Sequence, residues 1–306
     1  MQKRGGSRSV FPDHIRPLGD GITYHGEPAP TLPGSEVAAD ATAESTAFAS
    51  VREFLLLQRE APERSLFARI LGLDPLAREA AAPYAGALAE ITVAESLERL
   101  GSEWTILNDL SIGSTRRPIA YTLVGPAGVF TLEVHNHSNA DVWVGERSIV
   151  VDGAPHSHIV ESERRADRVA RRLSEATDLP VAVTPCLVVA NAAELTVRQR
   201  PRRVEVLVPD AVGPFFADLP RLLSPEAVDR HRDAALAPTT WRTGSRATAR
   251  TVGGLVDRAE FADIHRSIVE SHRRRLFWAI SGAALSSVVL LATTGDLIAR
   301  TLGLIH

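Results

Sequence analysis

Residues 119–137, IAYTLVGPAGVFTLEVHNH, contain the clearest structural pattern in the chain. Two apolar runs, 119–124 and 129–134, flank the segment Gly125-Pro126-Ala127-Gly128. Because β-branched and aromatic residues favour strands while glycine and proline favour tight turns, the stretch predicts a β-hairpin. Glu133 interrupts the second apolar run, so we expect it to be partly buried beside Glu90, with a metal or basic partner nearby.

Helical and strand patterns continue on both sides of this hairpin. Residues 84–100 predict an amphipathic helix that Gly101 ends, and residues 160–177 predict a helix with an arginine-rich face. Further apolar runs predict strands at 104–110, 142–144, 148–151, 181–190 and 204–208, and helices at 215–223 and 225–236. This order indicates an α/β fold with a mixed central sheet flanked by helices.

The segments around this domain, which we place at residues 83–236, differ in composition. Residues 1–45 are rich in Gly, Pro, Ser and Ala, which predicts disorder, and residues 46–82 predict a lead-in of two short helices. A linker rich in Ala, Thr, Arg and Gly follows at 237–257. Residues 258–275 then predict a polar juxtamembrane helix.

Residues 276–294 contain no charged side chain, and Arg273-Arg274-Arg275 precede them directly. At a helical rise of about 1.5 Å per residue this run reaches roughly 28 Å, close to the hydrocarbon thickness of a bilayer. We expect a transmembrane helix followed by a short tail at 295–306. Because cytoplasmic flanks of membrane helices are rich in Arg and Lys, these arginines predict a single-pass membrane protein whose N-terminal domain lies in the cytoplasm. The alternative is a core helix of a soluble domain.

Charge and cysteine content narrow the class of protein. The net charge of −3 shows no basic bias toward nucleic acid over the whole chain, although a local basic groove is compatible with it. The single cysteine, Cys186, excludes an internal disulfide and fits a reducing compartment. The only lysine is Lys3, so the folded region has no lysine for catalysis.

Three stretches together resemble the NERD (nuclease-related) domain, a branch of the PD-(D/E)XK nuclease fold. They are the helix start from Gly86 to Glu90, the hairpin at 119–136, and the arginine-rich helix with the strand at 181–190. The resemblance extends from Gly86 to about Leu223, and the hairpin is its most specific part.

This resemblance implies a Mg²⁺ or Mn²⁺ site in which Glu90 and Glu133 hold the ion. A divalent metal neutralises a phosphodiester and acidifies the attacking water. Two positions depart from the family pattern, because Ala120 replaces a metal-binding aspartate and His135 replaces a lysine. Alanine cannot bind metal, and histidine lacks the fixed positive charge of lysine at neutral pH.

We therefore expect a domain with weakened or lost nuclease activity that acts as a nucleic-acid- or protein-binding module. The alternative is an active metal-dependent nuclease with Glu90, Glu133 and His135 as its catalytic residues.

Two His-x-His pairs, His135-Asn136-His137 and His156-Ser157-His158, suggest a second kind of metal site. If the strand continues to residue 137, Glu133, His135 and His137 share one face because side chains alternate along a strand. Imidazole and carboxylate ligands suit Zn²⁺ or another borderline metal. The alternative is an exposed loop at 156–158 and a strand end at 137.

Arg164, Arg168 and Arg171 recur at helical spacing on one face of the helix at 160–177. Such a face predicts contacts to the phosphates of DNA or RNA. The alternative is a solvated helix face on which Glu161, Glu163 and Asp167 offset the positive charge.

Overall fold

A computed structural model describes residues 23–25, 47–60, 76–112, 118–241 and 255–301 of the chain. Its strands are β1 (Thr23–His25), β2 (Thr105–Leu110), β3 (Ile119–Gly125), β4 (Gly128–Asn136), β5 (Asp141–Val144), β6 (Ile149–Val151), β7 (Ala154–His156), β8 (Val183–Ala190), β9 (Glu194–Val197) and β10 (Glu205–Leu207). Its α-helices are α1 (Ala49–Glu60), α2 (Ala81–Glu98), α3 (His158–Thr177), α4 (Val212–Ala217), α5 (Pro225–Leu236) and α6 (Leu255–Thr301).

The predicted hairpin is the centre of a five-stranded mixed sheet, ordered β10-β8-β4-β3-β2. β3 pairs antiparallel with β4 and β2, whereas β8 pairs parallel with β4 and β10. All seven residues of β3 are buried, because the strand is covered on both of its faces. The turn between β3 and β4 requires glycine at Gly128, where φ is +131°.

A second mixed sheet joins strands from three separate parts of the chain, in the order β1-β9-β5-β6-β7. Its apolar side chains Val142, Val144 and Ile149 pack in one cluster with Leu187 and Val189 of the first sheet. The prediction of a single mixed central sheet is therefore corrected to two mixed sheets. The α/β class with flanking helices is confirmed.

Helices cover both faces of the first sheet. α3 packs Ala166, Val169 and Leu173 into an apolar cluster that includes Val129 of β4. On the other face, Asn136 of β4 donates from Nδ2 to the carbonyl oxygen of Ala82 in α2. Side chains at odd and even positions of β4 point to opposite faces, so α2 and α3 lie on opposite sides of this strand.

Most predicted elements are present, with shifts at their ends. The predicted helix at 215–223 is shorter than expected, because α4 ends at Ala217. β4 ends at Asn136, although His137 still donates its backbone N–H to Ala190 at 2.9 Å. Trp241 belongs to the predicted linker, yet its side chain is buried and donates to the carbonyl oxygen of Ala235.

The chain divides into two compact units, residues 1–54 with 81–255 and residues 55–80 with 256–306. The second unit contains the end of α1 and most of α6, which Arg59 and Glu260 join by an ion pair. α6 runs without a break through the predicted juxtamembrane and transmembrane segments.

None of the helices within the described residues combines the length and the apolar character that crossing a membrane requires. The predicted transmembrane helix is thus not found there. Of the predicted disordered segment 1–45, only Thr23–His25 is described, as a strand. The second of the two predicted lead-in helices lies outside the described residues.

Candidate functional site

Strand β4 places Glu133 and His135 on the face of the first sheet that α3 covers. Glu133 is 1% exposed, and its carboxylate forms an ion pair with the guanidinium of Arg165, which is also buried. Arg165 additionally lies 3.7 Å from the carboxylate of Glu161, one helical turn earlier in α3. The predicted basic partner of Glu133 is therefore an arginine contributed by α3.

One oxygen of Glu133 keeps capacity for a further ligand. Its Oε1 has no hydrogen-bond partner in the part of the chain that the structure describes. Its Oε2, which pairs with Arg165, also lies 3.5 Å from Nε2 of His135. A buried carboxylate is thus shared between a permanent cation and an imidazole.

Glu90 has a different set of partners, on the other side of the sheet. It is buried in α2, where its carboxylate accepts hydrogen bonds from the backbone N–H groups of Ser50 at 3.0 Å and Val51 at 3.2 Å. These amides belong to the first turn of α1, whose N–H groups have no partner within the helix. Burial raises the pKa of Glu90 to about 7, although the hydrogen bonds from Ser50 and Val51 oppose this shift.

Glu90 and Glu133 are therefore not brought together. α2 contacts β4 through Asn136, and α3 contacts it through Glu133, which points to the opposite face. Close packing holds α2 in this position: a Cβ on Gly86 would lie 2.6 Å from Oγ of Ser50 and 2.9 Å from Nδ2 of Asn136. The lack of a side chain at Gly86 thus allows α1 and α2 to pack closely.

Ala120 lies across from Glu133 on the neighbouring strand. Tyr121 of β3 pairs with Leu132 of β4, so the preceding residue on β3 faces Glu133. Ala120 is 2% exposed and brings no oxygen atom to this position. The residues that would have to hold Mg²⁺ are one arginine-paired carboxylate, an alanine and a carboxylate on the far face, and they do not fit this ion.

Four histidines gather where β4 ends and α3 begins. One nitrogen from each of His135, His137 and His158 lies within 4.8 Å of the other two. The ring centroids of His135 and His158 are 4.1 Å apart, and those of His156 and His158 are 5.1 Å apart. The structure therefore joins the two His-x-His pairs, and its tightest group adds His158 to the predicted ligands His135 and His137.

The rings of His137 and His158 are neutral at neutral pH. Burial and the neighbouring histidines lower the pKa of His137 to about 4, and burial likewise lowers the pKa of His158. Nε2 atoms of His135 and His137 are buried without a hydrogen-bond partner among the described residues. Neutral imidazoles with unpaired nitrogens are the form of histidine that binds metal ions.

The three arginines predicted to contact phosphate lie on the outer part of α3. Arg164 and Arg171 are exposed and Arg168 is half-buried. Burial and the nearby Arg165 lower the pKa of Arg168, while Glu133 opposes this shift. Within the described ranges none of the three has an ion pair, whereas Arg165 and Arg172 on the same helix are paired with Glu133 and Glu175.

The first sheet is mixed and carries a buried glutamate in its central hairpin. Residues 85–190 match the NERD family, the nuclease-related domain. The match runs from within α2 to the end of β8, so it includes Glu90, Glu133 and all four clustered histidines. The resemblance stated from the sequence is therefore confirmed. No curated protein and no solved structure matches this chain.

The sequence pattern does not indicate the roles of two site residues, Arg165 and His158. Arg165 belongs to the buried stripe of α3 with Ser162, Ala166 and Val169, and an arginine in such a stripe signals a buried acidic partner. His158 belongs to the second His-x-His pair, but its approach to His135 depends on how α3 packs beside β4.

Proposed function

We propose that residues 85–190 form a NERD domain that has lost metal-dependent cleavage and binds nucleic acid. The observation that carries this proposal is the ion pair between Glu133 and Arg165 beside Ala120. A guanidinium already neutralises the carboxylate that would hold a divalent ion, and no second carboxylate faces it from β3.

The stripe of Arg164, Arg168 and Arg171, which forms no ion pair with any described residue, supports binding to a phosphate backbone. Its members lie three or four residues apart, so they project along one side of α3. Guanidinium groups without a carboxylate partner are available to make bidentate contacts with phosphate. Other charged groups of α3 form ion pairs, as Asp167 does with Arg203 and Arg172 does with Glu175.

The test combines a binding assay with a cleavage assay on the full chain. We expect the variant Arg164→Ala/Arg168→Ala/Arg171→Ala to bind single- and double-stranded DNA and RNA more weakly. The slope of log affinity against log salt should fall by about 2–3 if these residues neutralise two or three phosphates. The matched control Arg147→Ala/Arg221→Ala/Arg230→Ala removes three exposed arginines elsewhere and should leave the slope unchanged.

The second candidate is an active nuclease with Glu90, Glu133 and His135 as catalytic residues. One observation favours it, because Nε2 of His135 lies 3.5 Å from Glu133 in the positions of the family's Glu-x-Lys. Cleavage in Mg²⁺ or Mn²⁺ that disappears in Glu133→Ala would establish this candidate. No cleavage together with salt-dependent binding is the result that the binding module predicts.

We also propose that the chain is attached to a membrane through the segment 276–294. Within the described part of this segment, five large apolar side chains are strongly exposed: Leu276, Phe277, Trp278, Ile280 and Leu285. Three exposed arginines at 273–275 precede them, as at the cytoplasmic end of an anchor. Water is an unfavourable environment for an apolar surface of this kind, and lipid is a favourable one.

A further inference from the structure

We propose that His135, His137 and His158 bind a Zn²⁺ ion that links the end of β4 to the start of α3. This site shares His135 with the carboxylate site that the resemblance implies, but its other two ligands are histidines outside that set. The proposal does not rest on nucleic-acid binding. Its ligands come from two elements, because His135 lies in β4, His137 directly follows that strand, and His158 is the first residue of α3.

Convergence of the three imidazoles is the main geometric support. A nitrogen from each ring lies within 4.8 Å of the other two. With Zn–N bonds of about 2.0–2.1 Å, two nitrogens of a tetrahedral site lie roughly 3.3 Å apart. The nitrogens therefore need to close by no more than about 1.5 Å, a distance that side-chain rotations can cover.

Unpaired polar atoms give independent support. Nε2 of His135 and of His137 are both buried and without a hydrogen-bond partner among the described residues. Buried polar atoms in folded proteins are nearly always paired, so two such atoms in one cluster call for a ligand. A bound cation supplies that ligand to both of them at once.

The donor set selects the kind of metal. Three imidazoles are borderline ligands, which suit Zn²⁺ and disfavour Mg²⁺ and Ca²⁺, the ions of oxygen-rich sites. Glu133 brings negative charge close to His135, and Arg165 offsets part of it. His156 lies near His158 but outside the group of three, so it is not assigned as a ligand.

The test is Zn²⁺ binding to tag-free, chelator-treated full-length protein, measured by titration calorimetry and by metal content after dialysis. We expect one Zn²⁺ per chain. Each of His135→Gln, His137→Gln and His158→Gln should weaken binding on the order of a hundredfold. The control His156→Gln removes a neighbouring imidazole from the same cluster and should retain most of the affinity.

Two further measurements distinguish loss of Zn²⁺ binding from loss of the folded structure. Circular dichroism identifies variants that keep the fold, and only these are compared. Added Zn²⁺ should raise the melting temperature of the parent protein and have little effect on the three ligand variants. Co²⁺ in place of Zn²⁺ should give the visible absorption of a tetrahedral site in the parent protein.

Three results would overturn the proposal. The first is a parent protein that binds no Zn²⁺, and the second is binding that survives all three ligand substitutions. The third is a loss in His156→Gln as large as in His137→Gln, which would place the ligands elsewhere in the cluster. Loss of nucleic-acid binding with Zn²⁺ binding intact would affect only the proposed function.

Discussion

Arg165 is the residue on which the electrostatics of the site depend. Glu133 is almost fully buried, and an isolated carboxylate in such surroundings is strongly unfavourable unless a cation or hydrogen bonds compensate it. Arg165 is the cation that the structure supplies, and its own burial means that neither partner is well solvated. Each side chain therefore needs the other.

Replacement of Arg165 by methionine should destabilise the folded chain by about 3–5 kcal/mol, because it leaves a buried charge without its partner. The free energy of unfolding in urea measures this loss. The double variant Glu133→Gln/Arg165→Met removes both charges and should recover a large part of it. Arg164→Met, one residue earlier on α3 and exposed, should change the free energy by no more than about 0.5 kcal/mol. Equal effects of Arg164→Met and Arg165→Met would contradict this account.

Among the elements, those with strong local patterns could be predicted from the sequence. The hairpin of β3 and β4 has long apolar strands and a glycine-containing turn, so its own residues specify it. β7 has only three residues, one of them Pro155, and its local pattern is too short to indicate a strand. β9 exists because it pairs with β1 and β5, from distant parts of the chain.

In the candidate site too, local patterns could be predicted from the sequence, whereas contacts between distant parts of the chain could not. Glu133 could be identified because it interrupts an apolar strand, and the resemblance to the NERD family implied a metal-binding role for it. The separation of Glu90 from Glu133 could not be predicted, because it depends on which side of the sheet α2 occupies. The partners of Glu90 also come from α1, 40 residues earlier in the chain.

The free energy of unfolding should depend on pH through Glu90, which lies where α1 and α2 meet. The pKa of Glu90 is about 7 in the folded chain and has its ordinary value of 4.5 in the unfolded chain. Below pH 4.5 both states hold the proton. Between pH 4.5 and 7 the unfolded state releases it first, so stability falls as pH rises, by on the order of 3 kcal/mol in total.

Glu90→Gln stays neutral and keeps one oxygen that accepts from an amide of α1, so it should lack this pH-dependent contribution. We expect the variant to gain stability relative to the parent protein between pH 5 and pH 8, as measured by urea unfolding at both values. Glu95→Gln, exposed on the same helix, is the control and should show no such gain. A constant difference between Glu90→Gln and the parent protein at the two pH values would refute the assignment.

On the scale of the whole molecule, the exposed apolar segment of α6 should determine where the chain is found. A helix that exposes Leu276, Phe277 and Ile280 to water is expected to find an apolar environment in the cell. Full-length protein should therefore sediment with membranes and resist extraction with high salt and carbonate. A chain ending at Arg275 should be recovered in the soluble fraction.

A single charge within the segment tests the same prediction without truncation. Leu285→Arg places a cation where insertion costs about 2.5–3.5 kcal/mol, so the membrane-bound fraction should fall steeply. Leu285→Val keeps the apolar character and should leave that fraction unchanged. Release by high salt alone would assign the attachment to Arg273, Arg274 and Arg275 instead of the apolar residues. Full-length protein that is as soluble as the truncated chain would exclude membrane attachment through this helix.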